Sequence, residues 1–226
     1  MDPENQNADE LRRAMIDGII VSHEILGLAL PRELEAAFRT VRRDLFIPGV
    51  SLSEAYADDS IVTKRNDRGG SLSSVSAPTV IALLLGQLQV RPGQRVLEIG
   101  SGGYNAALLQ ELVGPAGSVT TIDIDQWVVA RACLAVSGYR DVRALCADGE
   151  FGAPEFGPFD RIIVTVGAWD IPPAWREQLA EGGRLVVPLR TEGIIRSWAL
   201  EHSGGHLVSH DQLICGFVPM QGLGEH

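Results

Sequence analysis

The segment Glu98-Ile99-Gly100-Ser101-Gly102-Gly103-Tyr104 joins an apolar run to a stretch of helical spacing, the context in which a glycine-rich turn holds a nucleotide. Glycine accepts positive φ there, and its missing side chain lets ligand atoms come against the backbone. About 20 residues after Gly103 the next apolar run ends in Thr121-Ile122-Asp123-Ile124, where an acidic side chain accepts both hydroxyls of an adenosine ribose. A third run ends in Cys146-Ala147-Asp148-Gly149, bringing another acid within reach of an adenine amino group. Gly100, Ser101, Gly102, Gly103, Asp123, Ile124, Asp148 and Gly149 are therefore expected to form one site at the carboxyl ends of three strands. Singly, each has a plain structural role as a turn, a helix cap or an Asp-Gly corner.

Glu98 sharpens the choice of cofactor. A carboxylate two residues before the first glycine favours a sulfonium or ammonium group and disfavours a pyrophosphate. The glycine spacing also departs from the G-x-G-x-x-G of nicotinamide dinucleotide sites. This arrangement resembles the signature of enzymes that use S-adenosyl-L-methionine and release S-adenosyl-L-homocysteine, in which that acid lies near the cationic, amino-acid end of the cofactor. No H-E-x-x-H motif, clustered metal ligands or G-x-S-x-G turn occurs, so no metal site is expected.

These residues need a scaffold. From Arg91 onward short apolar segments alternate with helical ones, the pattern of a parallel sheet wrapped by helices. The spacing predicts strands over 95–99, 118–122, 142–146, 161–166 and 184–188, and helices over 104–113, 127–136 and 173–180. Segments 194–200 and 213–218 have no helix between them and are expected to pair antiparallel at the end of the sheet. Ahead of the sheet, helices are expected over 8–28 and 31–41. Residues 45–68 read as irregular structure, a mobile or substrate-facing loop ending in the Gly69-Gly70 turn. A further helix is expected over 76–88, with Ser76 as N-cap and Pro78 in its first turn. The expected fold is α/β and Rossmann-like, a mostly parallel central sheet with a C-terminal antiparallel strand pair and N-terminal helices.

Composition narrows the partners. With 226 residues, 45% of them hydrophobic, the chain can bury a substantial core. A net charge of −10 offers no source of phosphate neutralisation, which argues against nucleic acid as a partner. Cys133, Cys146 and Cys215 form no C-x-x-C arrangement and read as buried thiols of a reducing compartment. The first residues lack a basic patch and an apolar stretch, and the apolar runs, such as 80–85, fall far short of the ~20 residues that span a bilayer. A cytoplasmic protein without a membrane partner is expected.

From about Leu45 to Gly222 the chain resembles the protein-L-isoaspartate O-methyltransferase family. The resemblance is carried by Ala55-Tyr56-Ala57-Asp58, Ser74-Val75-Ser76-Ala77-Pro78, Val96-Leu97-Glu98-Ile99-Gly100, Asp148-Gly149, Gly157-Pro158-Phe159-Asp160-Arg161-Ile162, Gly182-Gly183-Arg184-Leu185-Val186-Val187-Pro188 and Phe217-Val218-Pro219. The nucleotide-binding stretches are shared by many methyltransferases, whereas Ser-Ala-Pro ahead of a helix combined with Phe-Val-Pro is more particular. The resemblance implies methylation of an aspartyl or isoaspartyl carboxyl group in a peptide or protein, with Ser76 as the catalytic contact to that carboxyl. Ala77 and Pro78, beside it, and Tyr56, Thr165, Trp169 and Arg190, which flank elements facing the same crevice, are the expected substrate-binding residues. A carboxylate with a pKa of ~4 is already ionised at neutral pH, so no general base is needed. The implied organisation is a helical extension over 1–44 and a methyltransferase domain over 45–226, one domain overall.

Three departures from the family pattern shift the expected substrate. The glycine turn is one residue shorter, Thr79 replaces the usual His, and the stretch from Lys64 to Ser73 is enlarged and basic. With the run from Thr165 to Trp175, these resemble a bacterial branch that methylates an aspartate of a ribosomally made precursor peptide. The ester then collapses to an aspartimide, which hydrolyses to isoaspartate. That tailoring reaction is the leading expectation. Repair of isoaspartyl proteins is its alternative, and a small-molecule methyltransferase or a non-catalytic peptide module stand in other classes.

Overall fold

The structure, a computed structural model, describes residues 3–100, 102–191 and 193–224. Helices α1 (Pro3–Ile25) and α2 (Arg32–Thr40) come first, burying Met15, Ile16 and Ile19 from one and Leu34, Ala37 and Phe38 from the other. A 3-10 turn, Arg43–Phe46, leads to the short α3 (Leu52–Ala55). There a capping box between Ser51 and Glu54 satisfies the first free N–H groups.

Residues 45–68 are not one irregular loop. After α3 the chain forms β1 (Ile61–Arg65), which pairs antiparallel with β2 (Ser71–Val75) in a separate two-stranded sheet. The turn is closed by Asn66, whose Oδ1 accepts the N–H groups of Arg68 and Gly70. Both strands are serine-rich or charged and only half-buried, so the alternation that signals a strand is missing from their sequence.

The N-cap of helix α4 (Pro78–Leu88) lies one residue later than expected, at Ala77 and not Ser76. Proline disfavours α geometry in the residue before it, and Ala77 is accordingly extended at φ −56, ψ 138. The free N–H of Thr79 is capped from outside the helix by Asp58 Oδ1 at 2.8 Å.

The remaining elements are β3 (Arg95–Ile99), α5 (Tyr104–Val113), β4 (Ser118–Asp123), α6 (Gln126–Ala135), β5 (Val142–Cys146), β6 (Phe159–Val164), α7 (Pro173–Gln178), β7 (Leu179–Thr191), β8 (Ile194–Ser203) and β9 (His206–Ile214). The strands form one sheet in the order β5-β4-β3-β6-β7-β8-β9, parallel as far as β7 and antiparallel beyond it. Alternation along the strands divides the core in two. Val96, Ile163, Val186 and Ala199 pack with α1, α2, α4 and α5, while Leu97, Ile99, Ile162, Val164, Leu185 and Val187 pack with Phe159, Trp175, Leu179 and Met220. The expected fold class is observed. The chain turns to β4 on one side of β3 and to β6 on the other, so a crevice opens beyond the carboxyl ends of β3 and β6.

Two further expectations need correction. The last strand is β9, residues 206–214, not 213–218. It lies at the sheet edge with most side chains exposed, so polar residues populate both its faces and conceal its period. Nor are the cysteines buried: Cys133 and Cys146 are exposed and Cys215 is partly so.

Helix α7 holds the loop after β5. Fully buried Trp175 donates from Nε1 to Gly149 O at 2.7 Å, and Gln178 bonds Ala153 N and Phe151 O. Replacing Trp175 with Phe removes that hydrogen bond and part of the packed ring, and should destabilise the protein by about 1–3 kcal/mol in urea unfolding. An unchanged midpoint would refute this account of how the loop is held.

Candidate active site

The turn after β3 is bolted to the end of β6. Gly100 has φ 95, and a Cβ there would stand 2.7 Å from Thr165 Oγ1. The Thr165 hydroxyl donates to Gly100 O at 2.6 Å, and its N–H donates to Ile99 O at 2.8 Å. Gly103, with φ 82, caps α5 where a Cβ would meet Phe46 and the backbone of Ala132 at 3.2–3.3 Å. Ser101 lies outside the described residues.

Beneath this turn Glu98 is completely buried. Asn105 Nδ2 donates to its Oε1 at 2.9 Å and Thr121 Oγ1 to its Oε2 at 2.5 Å. Burial pushes its pKa up to about 7, and the charge of Asp123 acts in the same direction, against the two hydrogen bonds that favour ionisation. Glu98, Gly100, Gly102, Asn105, Asp123 and Thr165 line a crevice with about 500 Å³ of empty space.

The crevice continues past Asp123 into a second hollow, walled by Ile122, Ile124, Gly149 and Met220 and enclosing about 380 Å³. Half-buried Asp123 accepts the Asp125 N–H on Oδ1. Asp125 caps α6 and pairs with Lys64 of β1, anchoring the hairpin beside the crevice. From the other side Gln221 Nε2 donates to Leu72 O at 3.1 Å, which ties the C-terminal segment to β2. Asp148 is turned away from its expected position. Its carboxylate caps the 3-10 turn at Glu150 and accepts the Leu223 N–H, so Gly149 and not Asp148 forms the wall of the hollow.

A wider groove, with about 1120 Å³ of open space, lies on the other side of β2. Asp59, Val62, Ala77 and Phe217 line it, and Ser74, Ser76 and Val218 border both it and the crevice. Because Asp58 caps α4, the Ser76 hydroxyl makes no hydrogen bond among the described residues and stands at the mouth between the two spaces.

The other residues expected around the substrate divide. Ala77 and Thr165 line the two spaces, although the Thr165 hydroxyl is committed to backbone carbonyls. Pro78 is buried as the first residue of α4. Tyr56 is buried in the helical layer, donating to Asp44, which also pairs with Arg42. Trp169 and Arg190 stack on each other, with the guanidinium 5.1 Å from the ring centroid, and line neither space. Sequence reasoning gave no site role to Ser74, Asn105, Val218 or Arg43, although Ser74 and Val218 lie in stretches that carry the family resemblance and Asn105 comes one residue into the helix after the glycine turn. Among the described residues no group of three or more His, Cys, Asp or Glu is placed to hold a metal, and no helix is long and apolar enough to cross a membrane.

A mostly parallel sheet with a glycine turn, a buried acid on β3 and an acid ending β4 around one crevice at the switch of strand order defines a Rossmann-like S-adenosylmethionine-dependent methyltransferase. Residues 18–225 match the family described as protein-L-isoaspartate(D-aspartate) O-methyltransferase, and the chain belongs to it. It is 34% identical over 219 residues to the protein-L-isoaspartate O-methyltransferase of Methanopyrus kandleri, covering 95% of this chain and 94% of that one. The Methanococcoides burtonii enzyme of the same name is 38% identical over 189 residues, covering 82% and 90%. A solved protein-L-isoaspartate O-methyltransferase structure superposes with a TM-score of 0.83 at 30% identity, covering 93% of this chain and 67% of that one. A Plasmodium falciparum structure in complex with S-adenosyl-L-homocysteine shares the fold, with a TM-score of 0.76 at 18% identity over 90% and 97% of the two chains.

Glu98 gives the site a pH signature. Its folded pKa lies above its unfolded value, so the folded protein holds the extra proton and loses stability as pH rises between them. A cationic ligand favours the ionised form, so affinity for S-adenosylmethionine should rise from about pH 5.5 to about 7.5 and level off above. Calorimetry across that range should show the rise in the native protein and a flat, weaker profile in Glu98→Gln. An unchanged profile in the variant would exclude Glu98 as the titrating group.

Proposed function

We propose that this chain methylates the free carboxylate of L-isoaspartyl residues in proteins and peptides in the cytoplasm, the first step in repair of damaged aspartyl and asparaginyl sites. The observation that carries this reading is the Ser76 hydroxyl, which has no hydrogen-bond partner among the described residues and stands at the mouth between the crevice and an open groove. The family match and the curated relatives support the isoaspartyl substrate.

In this reading Glu98 and Asn105 face the amino-acid end of S-adenosylmethionine, Asp123 its ribose, and Ile124 and Gly149 its adenine. The cofactor, held by these residues, would supply an electrophilic methyl group for transfer to a carboxylate oxygen. Ser76 donates a hydrogen bond to the acceptor carboxylate and orients it. The hairpin and the Gln221 contact keep water from the crevice. The acceptor arrives ionised, so this chain has no proton to remove, and alignment and desolvation do the work. We place residues 1–44 as a helical extension of a single methyltransferase domain spanning 45–226.

Methylation of an aspartate in a precursor peptide is the second reading, favoured by the β1–β2 hairpin and by Thr79 in place of His. The hairpin's basic residues are partly engaged within the protein, Lys64 with Asp125 and Arg65 with Gly69 O, which weakens their use in steering an acidic peptide.

Paired synthetic peptides, one isoaspartyl and one aspartyl, separate the readings by mass spectrometry. A methyl ester on the isoaspartyl peptide, followed by loss of methanol, is expected; methylation of the aspartyl peptide alone would overturn the repair reading. Ser76→Ala should lower kcat about 10- to 100-fold, the worth of one hydrogen bond to a charged group, and leave cofactor affinity unchanged.

A further inference from the structure

Arg43 is a buried charge that none of the sequence motifs explains. Its side chain is fully enclosed, yet it forms no ion pair among the described residues. Nη1 donates to Ser76 O at 2.7 Å and Nη2 to Asp59 O at 3.0 Å. The guanidinium lies 5.4 Å from the centroid of the Tyr104 ring, and its buried Nε has no hydrogen-bond partner among the described residues. The groups that satisfy this cation are therefore neutral carbonyls and a ring face. Asp58, the acid whose field reaches it, is solvent-exposed and spends a carboxylate oxygen on the cap of α4.

Position gives that charge a use. Ser76 and Asp59 belong to the walls of the groove, and Tyr104 to the wall of the crevice. Neither space is lined by a lysine or arginine among the described residues. Burial hides the cation from screening by water and salt, so its field is stronger in the groove than that of a surface charge would be. A fork spanning two carbonyls also fixes the Ser76 backbone more firmly than a single donor can.

Building on the proposed carboxylate acceptor, we propose that Arg43 is a positioning residue for methyl transfer. It pins Ser76 at the mouth between the two spaces and holds an uncancelled positive charge behind the point where the acceptor carboxylate arrives. It does not touch the substrate. Its effect is therefore selectivity for an anionic over a neutral acceptor, together with the placement of the Ser76 hydroxyl.

The test measures binding of two peptides to the full chain saturated with S-adenosylhomocysteine, one isoaspartyl and one with the neutral isoasparaginyl amide. The native protein should bind the acid about tenfold or more tightly than the amide. Arg43→Met should erase that preference, a change that loss of structure alone, weakening both peptides alike, would not produce. Arg43→Lys should retain the preference, since it keeps the charge, but lower kcat, since one ammonium cannot span both carbonyls. Equal binding of acid and amide by the native protein overturns the role whether or not the variants fold, as does a preference that survives in Arg43→Met or an undiminished kcat in Arg43→Lys. A native protein that methylates isoaspartyl peptide without preferring the acid sinks this role alone. One that methylates neither isoaspartyl nor aspartyl peptide sinks the proposed function, and this role with it.

Discussion

A carboxylate held in the dry centre of the sheet is the constraint around which the site is organised. Removing an acid from water costs several kcal/mol unless its partners or a ligand compensate, and among the described residues Glu98 has two neutral donors, Asn105 and Thr121. Its position follows from strand alternation: Leu97 and Ile99 fill one core layer, so Val96 and Glu98 face the other, under α5. An acid there weakens the empty fold and strengthens the hold on a cationic ligand. The Gly100–Thr165 contact then fixes the turn above it, so the acid and the glycine backbone address the same volume.

The walls above this floor come from segments remote in the chain. Lys64 of the hairpin meets the cap of α6, Gln221 near the C-terminus reaches Leu72, and Asp58 caps α4. The last contact has a chemical consequence, because a serine ahead of a helix ordinarily serves as its cap. Here the proline at the first helical position and an aspartate from another segment take over that task, and Ser76 is left facing the mouth of the crevice. Arg43 works from behind the same wall, joining the backbone at Asp59 to that at Ser76. Structural duties thus fall on residues set back from the crevice, which leaves its edge open to a ligand.

Much of this was legible in the chain. The central parallel strands β3, β6 and β7 carry apolar stretches because both their faces are buried there, and β3, α5 and β5 were located to the residue. The glycine turn and Asp123 announced themselves by type and spacing. Illegible were β1, β2 and β9, whose exposed or half-buried faces carry serines and charges and so show no period. Trp169 lies beyond the end of β6 as expected, whereas Arg190, expected just after its strand, lies within β7, which runs on to Thr191; neither position along the chain says which way the side chain turns. They turn toward each other.

The sequence by itself determined the fold class, the cofactor and the family, since those depend on local periodicity and on a few residues placed close together along the chain. Tertiary structure alone decided that Asp148 leans on the C-terminal segment, that Tyr56 belongs to a helical network, and that, among the described residues, the Ser76 hydroxyl has no hydrogen-bond partner and the guanidinium behind it no ion pair. Each of these depends on a partner between 12 and 75 positions away along the chain. Such partners meet only when burial of the two core layers brings their elements together, and no spacing in the linear chain records that meeting.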